Sequence, residues 1–199
     1  LSKCMRIGFD SLSDLGDGLT LFGMTPETPE PDLGWIVPAR SERLVRPVER
    51  FVEKPDVRQA ARLLALGGVW NSFLMVFASP SLLGLFEQRL PRLLDSLRQA
   101  FKAGRGSRAA RLEQVYGELE TQDVSRDLLQ CSAERLRVMI VPPCGWTDLG
   151  TPSRVMSCLS STVARPAASR SSPSRGNGLD LSWAVASLRG KAEPAASIV

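Results

Sequence analysis

Apolar residues in this chain fall into short runs separated by turn-formers, and between some of those runs they recur every three or four positions. Leu19 to Phe22 predicts a first strand, preceded by a turn-rich stretch from Asp14 to Gly18. Thr25 to Pro31 holds three prolines, which forbids regular helix and predicts a loop before the apolar Gly34-Trp35-Ile36-Val37. Leu44 to Val52 alternates imperfectly around Pro47 and reads as a strand at an edge or with a bulge. Asp56 then reads as a helix N-cap, with Val57, Ala60, Ala61 and Leu64 on one face and Gly67-Gly68 as the stop. Val69 to Phe77 is a largely apolar strand.

Ser79-Pro80 predicts another helix start, amphipathic to about Leu90, and Pro91 opens a further helix whose apolar face is Leu93, Leu94, Leu97 and Phe101. Gly104 to Gly106 breaks it. After a polar stretch, Ser125 to Cys131 predicts a short helix, Leu136 to Val141 a strand ending at Pro142-Pro143, and Cys144 to Gly150 a loop. Strand, helix, strand is the order of an α/β sheet, in which crossover helices cover buried strands. Beyond Thr151 the chain turns rich in Ser, Ala and Arg, with little periodicity outside Leu179 to Leu188, and reads as mostly disordered. The pattern therefore predicts a folded part over 1–155 and a basic tail over 156–199.

Charge sharpens that division. Residues 1–150 carry 19 basic and 19 acidic side chains, so the net +4 comes wholly from the remainder and is no nucleic-acid footprint. The chain has no histidine, which excludes Ser-His-Asp and Cys-His nucleophile systems, a His general base and a His-ligated zinc. Cys4, Cys131, Cys144 and Cys158 form no Cys-x-x-Cys pair and read as thiols of a reducing, cytoplasmic compartment. No apolar run reaches the roughly 18 residues of a membrane span.

Three motifs place polar groups beside apolar strands, where α/β sheets bind ligands. In Phe51-Val52-Glu53-Lys54-Pro55, Lys54 can supply a point charge to a phosphate and Glu53 can accept hydrogen bonds from hydroxyls. By itself, though, a Glu-Lys pair is more commonly a solvated surface pair. In Trp70-Asn71-Ser72, Asn71 offers two donors and an acceptor to a polyhydroxy ligand, or else satisfies a turn. In Gly145-Trp146-Thr147-Asp148-Leu149-Gly150, Asp148 suits a hard divalent cation or equally a turn that bonds its own backbone.

The order Gly34-Trp35-Ile36, Phe-Val-Glu-Lys-Pro, helix, Gly-Gly-x-Trp-Asn-Ser, Gly-Trp-Thr-Asp-Leu-Gly resembles the second half of the sugar-1-phosphate nucleotidyltransferases, over about Leu19 to Val155. Within that family it is most like the mannose-1-phosphate guanylyltransferases. The resemblance implies a Rossmann-like three-layer α/β sheet, incomplete on its N-terminal side. It also implies Gly34, Glu53 and Asn71 as sugar contacts, Lys54 as the catalytic and phosphate-binding residue, and Asp148 as the ligand of a catalytic Mg²⁺. Asp127, in Ser125-Arg126-Asp127, falls where related sequences carry an acidic stretch near the sugar.

The implied reaction is attack of a sugar-1-phosphate oxygen on the α-phosphorus of a nucleoside triphosphate, with pyrophosphate leaving. An anionic nucleophile needs no general base, so the lack of histidine is no obstacle. The implied partners are the two substrates, with neither nucleic acid nor membrane, and a homo-oligomer is compatible with the resemblance. A glucose-1-phosphate transferase or a noncatalytic regulatory protein of the same fold are the alternatives.

Four departures qualify the resemblance. The family's glycine-rich Gly-x-Gly-x-Arg-x-x-Pro-Leu-Thr loop, which cradles the triphosphate, is not in these residues, and neither is the upstream acidic residue that shares the metal. The chain accordingly reads as a fragment, expected to be inactive alone and to expose sheet surface that makes it unstable. Phe73 stands where related sequences usually have Gly after Asn-Ser, and Trp35 replaces the usual Tyr.

Overall fold

The computed structural model describes residues 1–163 apart from 13–15, 17, 103, 105 and 106. Among these, Leu1–Pro143 form one compact unit, and the residues from Cys144 on belong to a second. Most of the expected Asp14–Gly18 turn, the tail from residue 164 and the Leu179–Leu188 stretch lie outside the described residues.

The first unit is an α/β fold on five strands: β1 (Leu19–Met24), β2 (Trp35–Pro38), β3 (Val45–Val52), β4 (Val69–Phe77) and β5 (Leu136–Val141). They pair in the closed order β1, β4, β2, β3, β5, mixed in direction, with β1 and β5 parallel and the other pairs antiparallel. The open edge expected of an incomplete sheet is therefore absent among the described strands. Closure depends on strands that change partner. The start of β3, Val45 to Pro47, pairs with β5, and its later residues pair with β2. Pro47 sits at that change, where its missing N–H breaks no continuous ladder, and the β2–β3 register shifts beside it.

Both β3 and β4 run antiparallel to β2, so they are parallel to each other with β2 between them, and helix α2 (Val57–Ala65) makes the crossover. Asp56 caps α2, accepting from the Gln59 N–H at 2.7 Å. Gly67, at φ +76°, ends it in a left-handed conformation that a side chain would strain. The buried face of α2 is Ala60 and Leu63, packed on Trp35 and Val37. Of the expected face, Ala60 is buried and Leu64 packs half-buried against the same cluster, whereas Val57 is 63% exposed and Ala61 is also exposed.

Helix α1 (Ser2–Asp10), which the pattern did not predict, brings buried Gly8 against the Phe22 ring. After β4 come α3 (Ser79–Arg89), α4 (Pro91–Lys102) and α5 (Arg108–Glu118). The cap of α3 is Ala78 rather than Ser79, and α4 buries Leu94 and Ala100 while Phe101 is left exposed. In place of the expected polar stretch, α5 is a helix with no buried residue. Val124–Leu129 forms one wide π-helical turn, and Gln130–Arg135 a tighter 3-10 turn leading into β5. The main core gathers Leu19, Leu21, Ile36, Phe51, Leu128 and Val138 on the sheet face opposite α2.

In the second unit, the Cys144–Gly150 loop precedes α6 (Pro152–Val163), a helix running past the boundary expected at residue 155. Among the described residues none of Cys4, Cys131, Cys144 and Cys158 is joined to another in a disulfide. Among the described residues no helix is long and apolar enough to cross a membrane.

Candidate active site

Strand register assembles the site. Val52, Trp35 and Trp70 form one row across β3, β2 and β4, and Trp35 meets Trp70 edge to face with ring centroids 6.3 Å apart. This row lies on the side covered by α2. Side chains alternate between faces along each strand, so the next row, Glu53, Gly34 and Asn71, belongs to the opposite face. The Asn71 N–H donates to the Gly34 carbonyl at 2.7 Å, extending the pairing by one step.

Gly34 is the middle member of that row, and its lack of a side chain makes a notch. A Cβ there would lie 2.6 Å from Glu53 Oε2, 3.2 Å from Asn71 Cβ and 3.5 Å from Asn71 Nδ2. The Asn71 amide is oriented by its neighbour, because Oδ1 accepts from the Phe73 N–H at 3.1 Å while Nδ2 faces the glycine. A carboxylate acceptor and an amide donor thus flank a glycine floor, an arrangement suited to adjacent hydroxyls.

Glu53 is only partly buried, and its pKa is raised above the ordinary 4.5. Burial contributes most, and the Asp123 carboxylate adds to it. Lys54, a hydrogen bond from the buried Ser125 hydroxyl and Arg126 all pull the other way. Lys54 is exposed and adopts φ +46°, an uncommon left-handed conformation for a residue with a side chain. Asp127 is engaged elsewhere: its Oδ2 accepts from the Asp123 N–H at 2.7 Å, while Asp123 Oδ1 accepts from the Arg126 N–H at 3.1 Å. The two aspartates cap their own helical turn.

The replacements at Phe73 and Trp35 have structural counterparts. Between Leu21 and Gly23 the β1–β4 register slips, and β4 bulges through Ser72, Phe73 and Leu74. The Ser72 hydroxyl stitches the bulge, donating to the Phe22 carbonyl at 2.6 Å and accepting from the Leu74 N–H at 3.2 Å. Phe73 occupies the bulge at φ +61° and is 54% exposed. That conformation favours glycine, so the usual Gly has a backbone reason. The Trp35 indole N–H donates to the Glu30 carbonyl at 2.8 Å, tying the proline-rich loop to β2.

Asp148 is described within its own unit. Its carboxylate forms an ion pair with Arg154, near the start of α6. Among the described residues no three of His, Cys, Asp and Glu gather as a metal site. A single carboxylate held by a guanidinium does not fit a divalent cation in this arrangement. Sequence reasoning thus identified the three residues of the notch, but it missed the parts of Asp123, Ser125 and Gln130. An Asp followed three and four positions later by its bonding partners is a helix-start signal that could have placed Asp123. Nothing local marks Gln130.

The nucleotidyl transferase family model matches residues 10–163, and the chain belongs to that family. Its mixed α/β sheet is the family's Rossmann-like fold. Among curated relatives, the xanthan biosynthesis protein XanB of Xanthomonas campestris pv. campestris is 30% identical over 142 residues, covering 69% of this chain and 30% of that protein. A mannose-1-phosphate guanylyltransferase of Escherichia coli is 28% identical over 140 residues, covering 67% and 29%. The solved mannose-1-phosphate geranyltransferase of Thermus thermophilus superposes with a TM-score of 0.58 at 26% identity, over 69% of this chain and 38% of that one. The chain thus spans about 30% of the length of the first curated relatives.

Proposed function

We propose that this chain carries the sugar-1-phosphate half-site of a nucleotidyltransferase that forms a GDP-mannose-like nucleotide sugar. The observation that carries the reading is the notch, with Glu53 and Asn71 brought from separate strands to either side of Gly34. In this reading Glu53 accepts from sugar hydroxyls, Asn71 donates to the sugar, and Gly34 admits it. Lys54 balances the phosphate, whose oxygen attacks the α-phosphorus of the triphosphate as pyrophosphate leaves. Mannose is favoured over glucose by the names of the guanylyltransferase relatives.

The family generally uses a divalent metal. Asp148 as the Mg²⁺ ligand requires Arg154 to release its carboxylate, and the roles of Gly34, Glu53, Lys54 and Asn71 do not depend on it. A cytoplasmic location accords with four cysteines that are not joined in disulfides. The glycine-rich triphosphate loop is not within these 199 residues, so the polypeptide as it stands binds the sugar phosphate without turning it over.

Calorimetric titration with mannose-1-phosphate, glucose-1-phosphate and free mannose tests this, alongside pyrophosphate release with GTP and Mg²⁺. The expected result is saturable binding of mannose-1-phosphate, weakened about tenfold or more by Lys54→Ala while affinity for free mannose is kept, and no pyrophosphate. Absence of sugar-phosphate binding would overturn the half-site assignment, and steady pyrophosphate release would overturn the inactivity.

A further inference from the structure

We infer that Gln130 is a positioning residue, its side chain holding the Glu53–Lys54 turn in the shape that receives a phosphorylated sugar. The inference rests on the half-site reading above. Val52, paired with Trp35, is the last residue of β3, so the Glu53 N–H lies just beyond the strand. A backbone donor at such a place needs another partner. Gln130 supplies it: Oε1 accepts from the Glu53 N–H at 2.7 Å, across 77 residues of sequence.

The next residue shows why the hold matters. Lys54 at φ +46° occupies a left-handed conformation that is unfavourable for an L-residue, and Pro55 after it narrows its options further. Such a turn persists only where its surroundings fix it. Three contacts do so: Gln130 on the Glu53 amide, buried Ser125 on the Glu53 carboxyl, and the burial of Pro55 itself. Ser125 orients the carboxylate, whereas Gln130 fixes the backbone from which both the carboxylate and the ammonium project. Gln130 is itself exposed, so its replacement removes the anchor without opening the core.

The test compares the wild-type chain with Gln130→Leu and Gln130→Glu, the second of which retains an oxygen acceptor of the same reach. The measurements are affinity for mannose-1-phosphate by calorimetry, exchange of the Glu53 amide hydrogen by NMR, and the melting temperature. Gln130→Leu is expected to melt like wild type, to exchange the Glu53 amide about tenfold faster and to bind mannose-1-phosphate about tenfold more weakly, as the loss of one backbone hydrogen bond implies. Gln130→Glu should restore slow exchange. Wild-type affinity in Gln130→Leu would overturn the inference, as would an affinity lost only together with the cooperative melt. A wild-type chain that binds no sugar phosphate would instead defeat the half-site reading and take this inference with it.

Discussion

Gly34 and Glu53 stand so close across β2 and β3 that a methyl group on residue 34 would lie 2.6 Å from Glu53 Oε2. Gly34 has no positive φ, so alanine meets no backbone strain there and acts only through this contact. Gly34→Ala should displace the carboxylate, weakening mannose-1-phosphate binding by about tenfold or more while lowering stability by only about 1 kcal/mol. Calorimetry and urea unfolding on one sample separate the two effects. A stability loss without an affinity loss would remove the notch from the binding surface.

Glu53 holds its proton more tightly in the folded chain than in the unfolded one, mainly because it is buried. That group favours the folded state below the ordinary pKa of 4.5, and the contribution is lost as pH rises through the raised value. Glu53→Gln should therefore match wild type in stability at about pH 4 and exceed it at about pH 8. Urea midpoints at the two pH values check this. A variant less stable than wild type at the higher pH would contradict the direction.

Phe73 separates backbone strain from packing. Both Phe73→Ala and Phe73→Gly remove the ring, but only glycine is at ease at φ +61°. The glycine variant should be the more stable of the two by about 1 kcal/mol, reversing their usual order within regular secondary structure. Urea unfolding of the pair decides it, and a more stable alanine variant would mean that the bulge relaxes.

The α2 face gives a paired test in the core. Leu63 packs on Trp35 and Val37, whereas Val57 is 63% exposed. Leu63→Ala should lower stability by about 2–5 kcal/mol, and Val57→Ala by no more than about 0.5. Similar losses at both positions would restore the face that spacing alone predicts.

Strands β1, β4 and β5 were legible as largely apolar runs and β3 as an alternating stretch around Pro47, whereas Trp35 to Pro38 was legible only as an apolar run after a proline-rich loop. Helix α5 was not, since it buries no residue and so shows no apolar stripe to read. The face of α2 was legible in part: Ala60 and Leu64 pack as their spacing predicts, whereas Leu63 rather than Val57 or Ala61 completes the face because it meets Trp35 and Val37. Gly34, Glu53 and Asn71 were each legible through their motifs, but their adjacency arises from the registers of three strands. Gln130 and Ser125 carried no signal, because an amide or hydroxyl aimed at a residue far away in sequence looks like any polar side chain. Asp148 was legible as an acidic loop residue, whereas its pairing with Arg154 depends on the helix that follows.

Closure of the sheet by its last strand has a further consequence for the order of assembly. During synthesis Gly34, Glu53 and Asn71 leave the ribosome before Ser125 and Gln130, and their three strands can begin to pair as soon as β4 is complete. Gln130 and Ser125 emerge much later, and β5, the second neighbour of both β1 and β3, later still. A nascent chain paused before this point would own every residue of the notch while lacking the side chains that steady Glu53. The hold on Glu53 therefore arrives only after the Ser125–Gln130 segment is made, as a late and long-range event in folding.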